Sequence, residues 1–162
     1  MGLVMRCLAA VILVLGLAAC GLSAPRTTVT RPSPVARVGP TLACGSVPVQ
    51  IPMMPAGAVK TGDFRRVKSL TEPLEAKGET WSLGEDRLWV GVVCGVRSAE
   101  RFATLVVSGA RLAMHHGKPA LHWGTPGGAR HFMWLESPGT AVYIAATAGI
   151  AGKVEEVAAT VK

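Results

Sequence analysis

The chain has 162 residues, 49% hydrophobic, 17% charged and 5% aromatic, the composition of a globular protein and not of a disordered or collagen-like one. That length fits one domain, or at most two small ones. Four cysteines are too few for a disulfide-dense scaffold, no apolar stretch reaches the eighteen or so residues of a bilayer span, and a net charge of +7 without a long basic run gives no footprint for nucleic acid.

Residues 1–6 end in the only early cation, Arg6, and the apolar run 7–17 (CLAAVILVLGL) follows it. Eleven helical residues rise only about 16 Å, half a hydrocarbon core, so the run reads as an export signal and not a span. Leu17-Ala18-Ala19-Cys20 comes next, with Gly21 after it. This resembles the lipobox of bacterial lipoproteins. The resemblance implies cleavage before Cys20, a diacylglycerol on the Cys20 sulfur and an acyl chain on the new amino terminus. The thiolate is the side chain nucleophilic enough at neutral pH to form that thioether, and two or three chains hold a protein on a membrane durably. The expected location is therefore the extracytoplasmic face of the cell membrane, with residues 1–19 as the signal peptide.

Residues 21–43 hold Arg26, Arg31 and Arg37 with no acid, four prolines and six Ser or Thr, and no hydrophobic period, so 20–43 is expected to be the lipidated cysteine and a tether. A flexible coil of that length spans roughly 26 Å, enough to clear lipid headgroups. Residues 44–162 remain as a single domain carrying 13 basic and 10 acidic side chains. Once Cys7 is removed and Cys20 lipidated, Cys44 and Cys94 are an even pair in an oxidising compartment, and one disulfide is expected in preference to two buried thiols. The absence of Asn and the lipobox, tether and compact domain in succession are similar to small actinobacterial lipoproteins of unknown function.

Prolines 48, 52 and 55 make 47–59 an extended edge or loop segment. Thr71, Pro73 and Gly78 predict a short helix with a cap, a first-turn proline and a stop. Residues 88–96 (LWVGVVCGV) are apolar on both parities, which predicts a core strand covered on both faces. Over 98–113, Phe102, Leu105, Val106, Gly109 and Leu112 fit a helix behind a Ser98 cap, while the run 105–107 fits a strand, the reading favoured here. Gly117-Lys118 suits a two-residue hairpin turn within 111–124. That pairing puts Leu112, Met114, Leu121 and Trp123 on a core face and His115 and His122 on a solvent face, a parity unchanged if the turn is His116-Gly117. Strands follow over 130–136 and 140–147, and Ile150, Val154, Val157 and Val161 mark one face of a three-turn helix. The expected class is α+β: an antiparallel meander with the C-terminal helix packed on one face. The turn at 117–120, Trp134, the paired strand and the closing helix resemble a module at the ends of secreted actinobacterial proteins.

No GxSxG elbow, HExxH or phosphate-cradling glycine loop occurs, and no catalytic signature emerges from the scattered Ser, His and acidic residues. The expectation is a non-catalytic binding or interaction domain without a cofactor beyond its lipid. Its partners are the membrane, through the anchor, and an envelope protein, lipid or glycan. An alternative is copper or zinc binding by His115, His122 and His131, which requires strand 130–136 to lie beside the hairpin with His131 on the same face. A second is a lipid or glycan carrier with a cavity under the sheet lined by Trp89, Trp123 or Trp134. Against both stands the ordinary use of these residues, histidines on the surface and tryptophans in the core.

Overall fold

A computed structural model describes residues 37–106 and 109–161; Cys20, expected to be lipidated, and the expected signal segment lie outside them, as does most of the expected tether. Strands dominate. β1 (Thr41–Cys44) and β2 (Val47–Gln50) form a hairpin of their own. One larger sheet is built from β3 (Val59–Phe64), β4 (Ala76–Leu83), β5 (Asp86–Cys94), β6 (Arg111–His115), β7 (Lys118–Gly124), β8 (Arg130–Ser137) and β9 (Thr140–Ala146). Two short helices, α1 (Ala99–Ala103) and α2 (Lys153–Ala158), and a 3-10 turn at Ala148–Ile150 complete the described elements. No helix among the described residues is long and apolar enough to cross a membrane.

The sheet is antiparallel throughout, in the order β3-β4-β5-β9-β8-β7-β6. It is two meanders joined by the pairing of β9 with β5, not the single meander expected, and helix is a minor component of the α+β arrangement. β9 occupies the centre because all of its residues (TAVYIAA) are apolar or small and all are buried. Its Val142 and Ile144 meet Val92 and Val90 on one side and Trp134 and Phe132 on the other.

Both faces of the sheet are covered, as the two-sided apolar pattern of β5 requires. On one face Trp81, Leu88, Val90, Val92, Phe132 and Trp134 pack under α2, through Val154, Val157 and Ala158, and under Val49, Ile51 and Met54 near the small hairpin. On the other, Val93, Leu121, Trp123, Met133, Tyr143 and Ala145 pack under Phe102 and Leu105 of the β5–β6 connection and under Val67, Leu70 and Leu74 of the β3–β4 connection. The Cys44–Cys94 disulfide joins the small hairpin to the end of β5, with Cα atoms 5.4 Å apart. Structure begins before residue 44: Arg37 bridges to Met54 and β1 starts at Thr41, so the last part of the expected tether belongs to the fold.

Four expectations are corrected. The helix from Thr71 to Gly78 does not form, because most of its backbone bonds run across the chain and the local one, from Leu74 N–H to Glu72, is not helical. Thr71 N–H donates to Leu105, Ala76 N–H to Arg65, Cys94 N–H to Glu75, and β4 begins at Ala76. Within 98–113 the helical reading prevails at 99–103, where the Ser98 hydroxyl caps the Arg101 N–H, and Leu105-Val106 lies in a bend and not a strand. The hairpin turns at His116-Gly117, both with positive φ (49° and 76°), instead of at Gly117-Lys118. The C-terminal helix spans six residues, with Ile150 in the preceding 3-10 turn, although Val154, Val157 and Val161 are buried as their spacing predicts.

Candidate binding cleft

The three histidines of the metal alternative are separated by the fold. With the turn at His116-Gly117, His122 lies opposite Arg111 and His115 opposite Lys118. Four residues of strand, about 13 Å, thus divide their backbones, where a turn one residue later would have made them diagonal neighbours. They do share a face, but that face is the one under α2. His115 packs edge-on against Phe132 at 5.1 Å, and His122 stacks on the same ring at 4.1 Å. The solvent and core faces are inverted at this edge: Leu112 and Met114 are 65% and 68% exposed, because the cover of their face does not extend as far as β6. β8 does lie beside the hairpin, but Phe132 pairs with His122 and His131 with Trp123. His131 therefore belongs to the opposite face. Among the described residues no three His, Cys, Asp or Glu side chains gather as a metal site.

His131 has a different set of contacts. Its ring stacks on Trp123, 5.0 Å away and 9° from parallel, and its Nδ1 lies 2.8 Å from the Tyr143 hydroxyl. Burial pushes the imidazole down to about 4 and the phenol well above its ordinary value. Both are neutral around pH 7, and neither is matched to exchanging a proton there. Burial is likewise the main cause that lowers His115 and His122.

The tryptophans divide as well. Trp81, Trp123 and Trp134 are at most 6% exposed and fill the cores. Trp134 Nε1 donates to Glu136, which also accepts from Lys118, so this inward carboxylate is satisfied. Trp89 alone remains half-buried, and it forms a wall of an open cleft of about 410 Å³ on the face opposite α2.

Apart from Trp89 and His131, the cleft is made by residues that sequence reasoning did not single out. Phe64, at the end of β3, lays its ring across Gly78 of β4 and Gly91 of β5, which are paired partners. A Cβ at Gly91 would stand 2.6 Å from Phe64 Cζ, and one at Gly78 would meet the same ring and stand 2.7 Å from the Val90 carbonyl oxygen. Two facing glycines on adjacent strands were the available signal, since they mark a groove that another group must fill. Seated there, Phe64 meets Tyr143 edge to face at 5.9 Å, and Phe64, Trp89 and Tyr143 line the cleft. Ser69 accepts a hydrogen bond from Trp123 Nε1 at 3.1 Å, which fixes the loop carrying Arg66 and Lys68 at the rim. Both cations are exposed and take no ion pair among the described residues. An apolar aromatic wall below unpaired cations suits a ligand with a flat or ring-shaped body and an anionic group.

A larger open hollow of about 730 Å³ along β3 and β4 mixes Asp63, Glu75 and Glu79 with Arg65, Arg66 and Lys77, and so has no single charge preference. No protein-family model, curated protein or solved structure matches this chain.

Proposed function

We propose that the chain is a lipid-anchored protein of the extracytoplasmic face of the cell membrane. Its non-catalytic domain binds an anionic, ring-bearing envelope glycan or lipid headgroup in the cleft beside Trp89. The observation that carries the ligand reading is the aromatic wall of Phe64, Trp89 and Tyr143 beneath Arg66 and Lys68. The cleft volume of about 410 Å³ lies in the range of small-molecule sites. Leu17-Ala18-Ala19-Cys20 supports the anchor, and the Cys44–Cys94 disulfide fits an oxidising compartment. Because Trp123 and Trp134 are committed to the cores, the ligand lies in an open surface cleft and is not enclosed under the sheet.

The ligand is tested by titrating the full chain with a uronic-acid oligosaccharide, anionic and ring-bearing, and with a neutral oligosaccharide of the same length while tryptophan fluorescence is read. Saturable quenching by the anionic probe is expected, with affinity falling about tenfold or more in Trp89→Ala and in Arg66→Ala/Lys68→Ala. Unchanged affinity in Trp89→Ala rejects the cleft. The anchor is tested separately by acyl labelling of Cys20→Ala, and persistence of label and of membrane fractionation rejects it.

A further inference from the structure

The two edges of the sheet are built differently. β3 is interrupted by a bulge between Lys60 and Gly62, and Lys60 holds Asp63 at 2.9 Å and Glu79 at 2.6 Å. Bulges and edge charges are the ordinary means of keeping an outer strand from pairing. β6 has neither. Its register with β7 runs unbroken from Arg111↔His122 to His115↔Lys118, it contains no proline, and it presents Leu112 and Met114 at 65% and 68% exposure.

The direction of the hydrogen-bonding groups that β6 leaves without a strand partner among the described residues follows from the turn. In a two-residue hairpin the pair next to the turn, His115↔Lys118, exchanges its bonds inward. Alternation along the ladder then directs the N–H and C=O of Leu112 and Met114 outward, away from β7. The strand also reads almost alike in both directions about its middle residue: Arg111, Leu112, Ala113, Met114, His115.

We propose that β6 is a dimer seam, to which a second copy of this chain adds its own β6 antiparallel across a two-fold axis through Ala113. In that register Leu112 lies opposite Met114 of the second copy, and the outward N–H and C=O groups of each meet as a hydrogen-bonded pair. The two leucines and two methionines cover one another on one face. On the other, Arg111 lies opposite a histidine and no two permanent cations are opposed. The pairing joins two seven-stranded sheets into one and leaves the cleft at Trp89 open, since that wall belongs to β5. A seam of five residues is small, so the dimer is weak and exchanging. A reversible contact of this kind is best captured by a cross-link.

The test places a thiol on the proposed axis of the full chain as Ala113→Cys. Ala113 faces its own copy at a non-hydrogen-bonded position, where Cα atoms approach to about 4.5 Å, within disulfide reach. Mild oxidation is expected to give a covalent dimer that reducing agent dissolves, about tenfold more than Val59→Cys gives on the β3 edge. Adding Leu112→Lys/Met114→Lys to Ala113→Cys should remove the excess without lowering thermal stability, because both side chains are exposed. The proposal is overturned by a yield no greater than that of Val59→Cys, by a dimer that survives both lysines, or by cross-linking to a different protein, which would make β6 the acceptor of a foreign strand.

Discussion

The Tyr143 hydroxyl lies 2.8 Å from His131 Nδ1, and the two side chains cross from β9 to β8 on the face opposite α2. Burial holds His131 down at about 4, whereas a histidine in the unfolded chain titrates near 6.5. Between those values the unfolded chain binds the extra proton, so stability rises with pH across the window. The contribution is complete above about 6.5, is lost as pH falls toward 4, and changes no further below that. Allowing for the partial exposure of the ring, it amounts to about 2 kcal/mol. His115 and His122, also lowered, add slopes of the same sign. His131→Gln should flatten the profile by its own share, measured by urea unfolding from pH 4 to 7.5. An unaltered slope would show that His131 is not the group responsible.

The disulfide closes a loop of 50 residues between the small hairpin and β5. In the chain-entropy account such a closure stabilises the fold by about 4 kcal/mol, an upper figure. Cys44→Ala/Cys94→Ala should therefore unfold at a much lower temperature, and reductant should lower the melting point of the parent and not of the variant. Equal sensitivity of both to reductant would refute this role.

Phe64 reaches the cleft because Gly78 and Gly91 leave its ring a seat. Gly91→Ala should cost about 1–3 kcal/mol through overpacking. Reducing the ring in Phe64→Leu/Gly91→Ala should recover part of that loss. A double-mutant cycle reads the coupling, and strict additivity would mean that the glycine serves the backbone alone.

The strands that form the centre of the sheet were legible because their apolar pattern has one solution. β5 is apolar on both parities and β9 is apolar or small throughout, so each must be covered on two faces. The spacing of Val154 and Val157 likewise marked the buried face of α2, although the helix stops short of Val161. The disulfide also followed, since Cys44 and Cys94 were the cysteines left once Cys7 and Cys20 were assigned to an expected signal and anchor. What the residues did not carry was assembly. Parity correctly put His115 and His122 on one face, but which face α2 covers is a tertiary fact, and it reversed solvent and core at β6. Thr71 and Pro73 have the chemistry of a helix start, yet Arg65, Cys94 and Leu105 compete successfully for the backbone bonds of that segment. Trp89 was named as a cavity residue, but the open cleft it walls escaped notice because its floor is set by glycines, whose meaning depends on which strands become neighbours.

The hairpin turn offers the most direct test of local sequence against structure. His116 and Gly117 both adopt positive φ, 49° and 76°, the pair of left-handed residues that lets two right-twisted strands close with two residues. Glycine takes this conformation freely, but histidine takes it at a cost that asparagine largely avoids. The histidine has one compensation, its ring lying 4.3 Å from that of His115 in an edge contact. A neighbouring imidazole also disfavours protonation of His115, second only to burial among the causes that lower it. His116→Asn should therefore stabilise the domain by roughly 0.5–1 kcal/mol through the turn, less whatever the ring contact contributes. Gly117→Ala should destabilise it by about 1 kcal/mol, because an added Cβ is strained at that φ even though open space surrounds it. Denaturant midpoints at pH 7.5, where His115, His122 and His131 are neutral, separate the turn from their titration. If His116→Asn lowered the midpoint, the contact between the two imidazoles would outweigh the backbone strain.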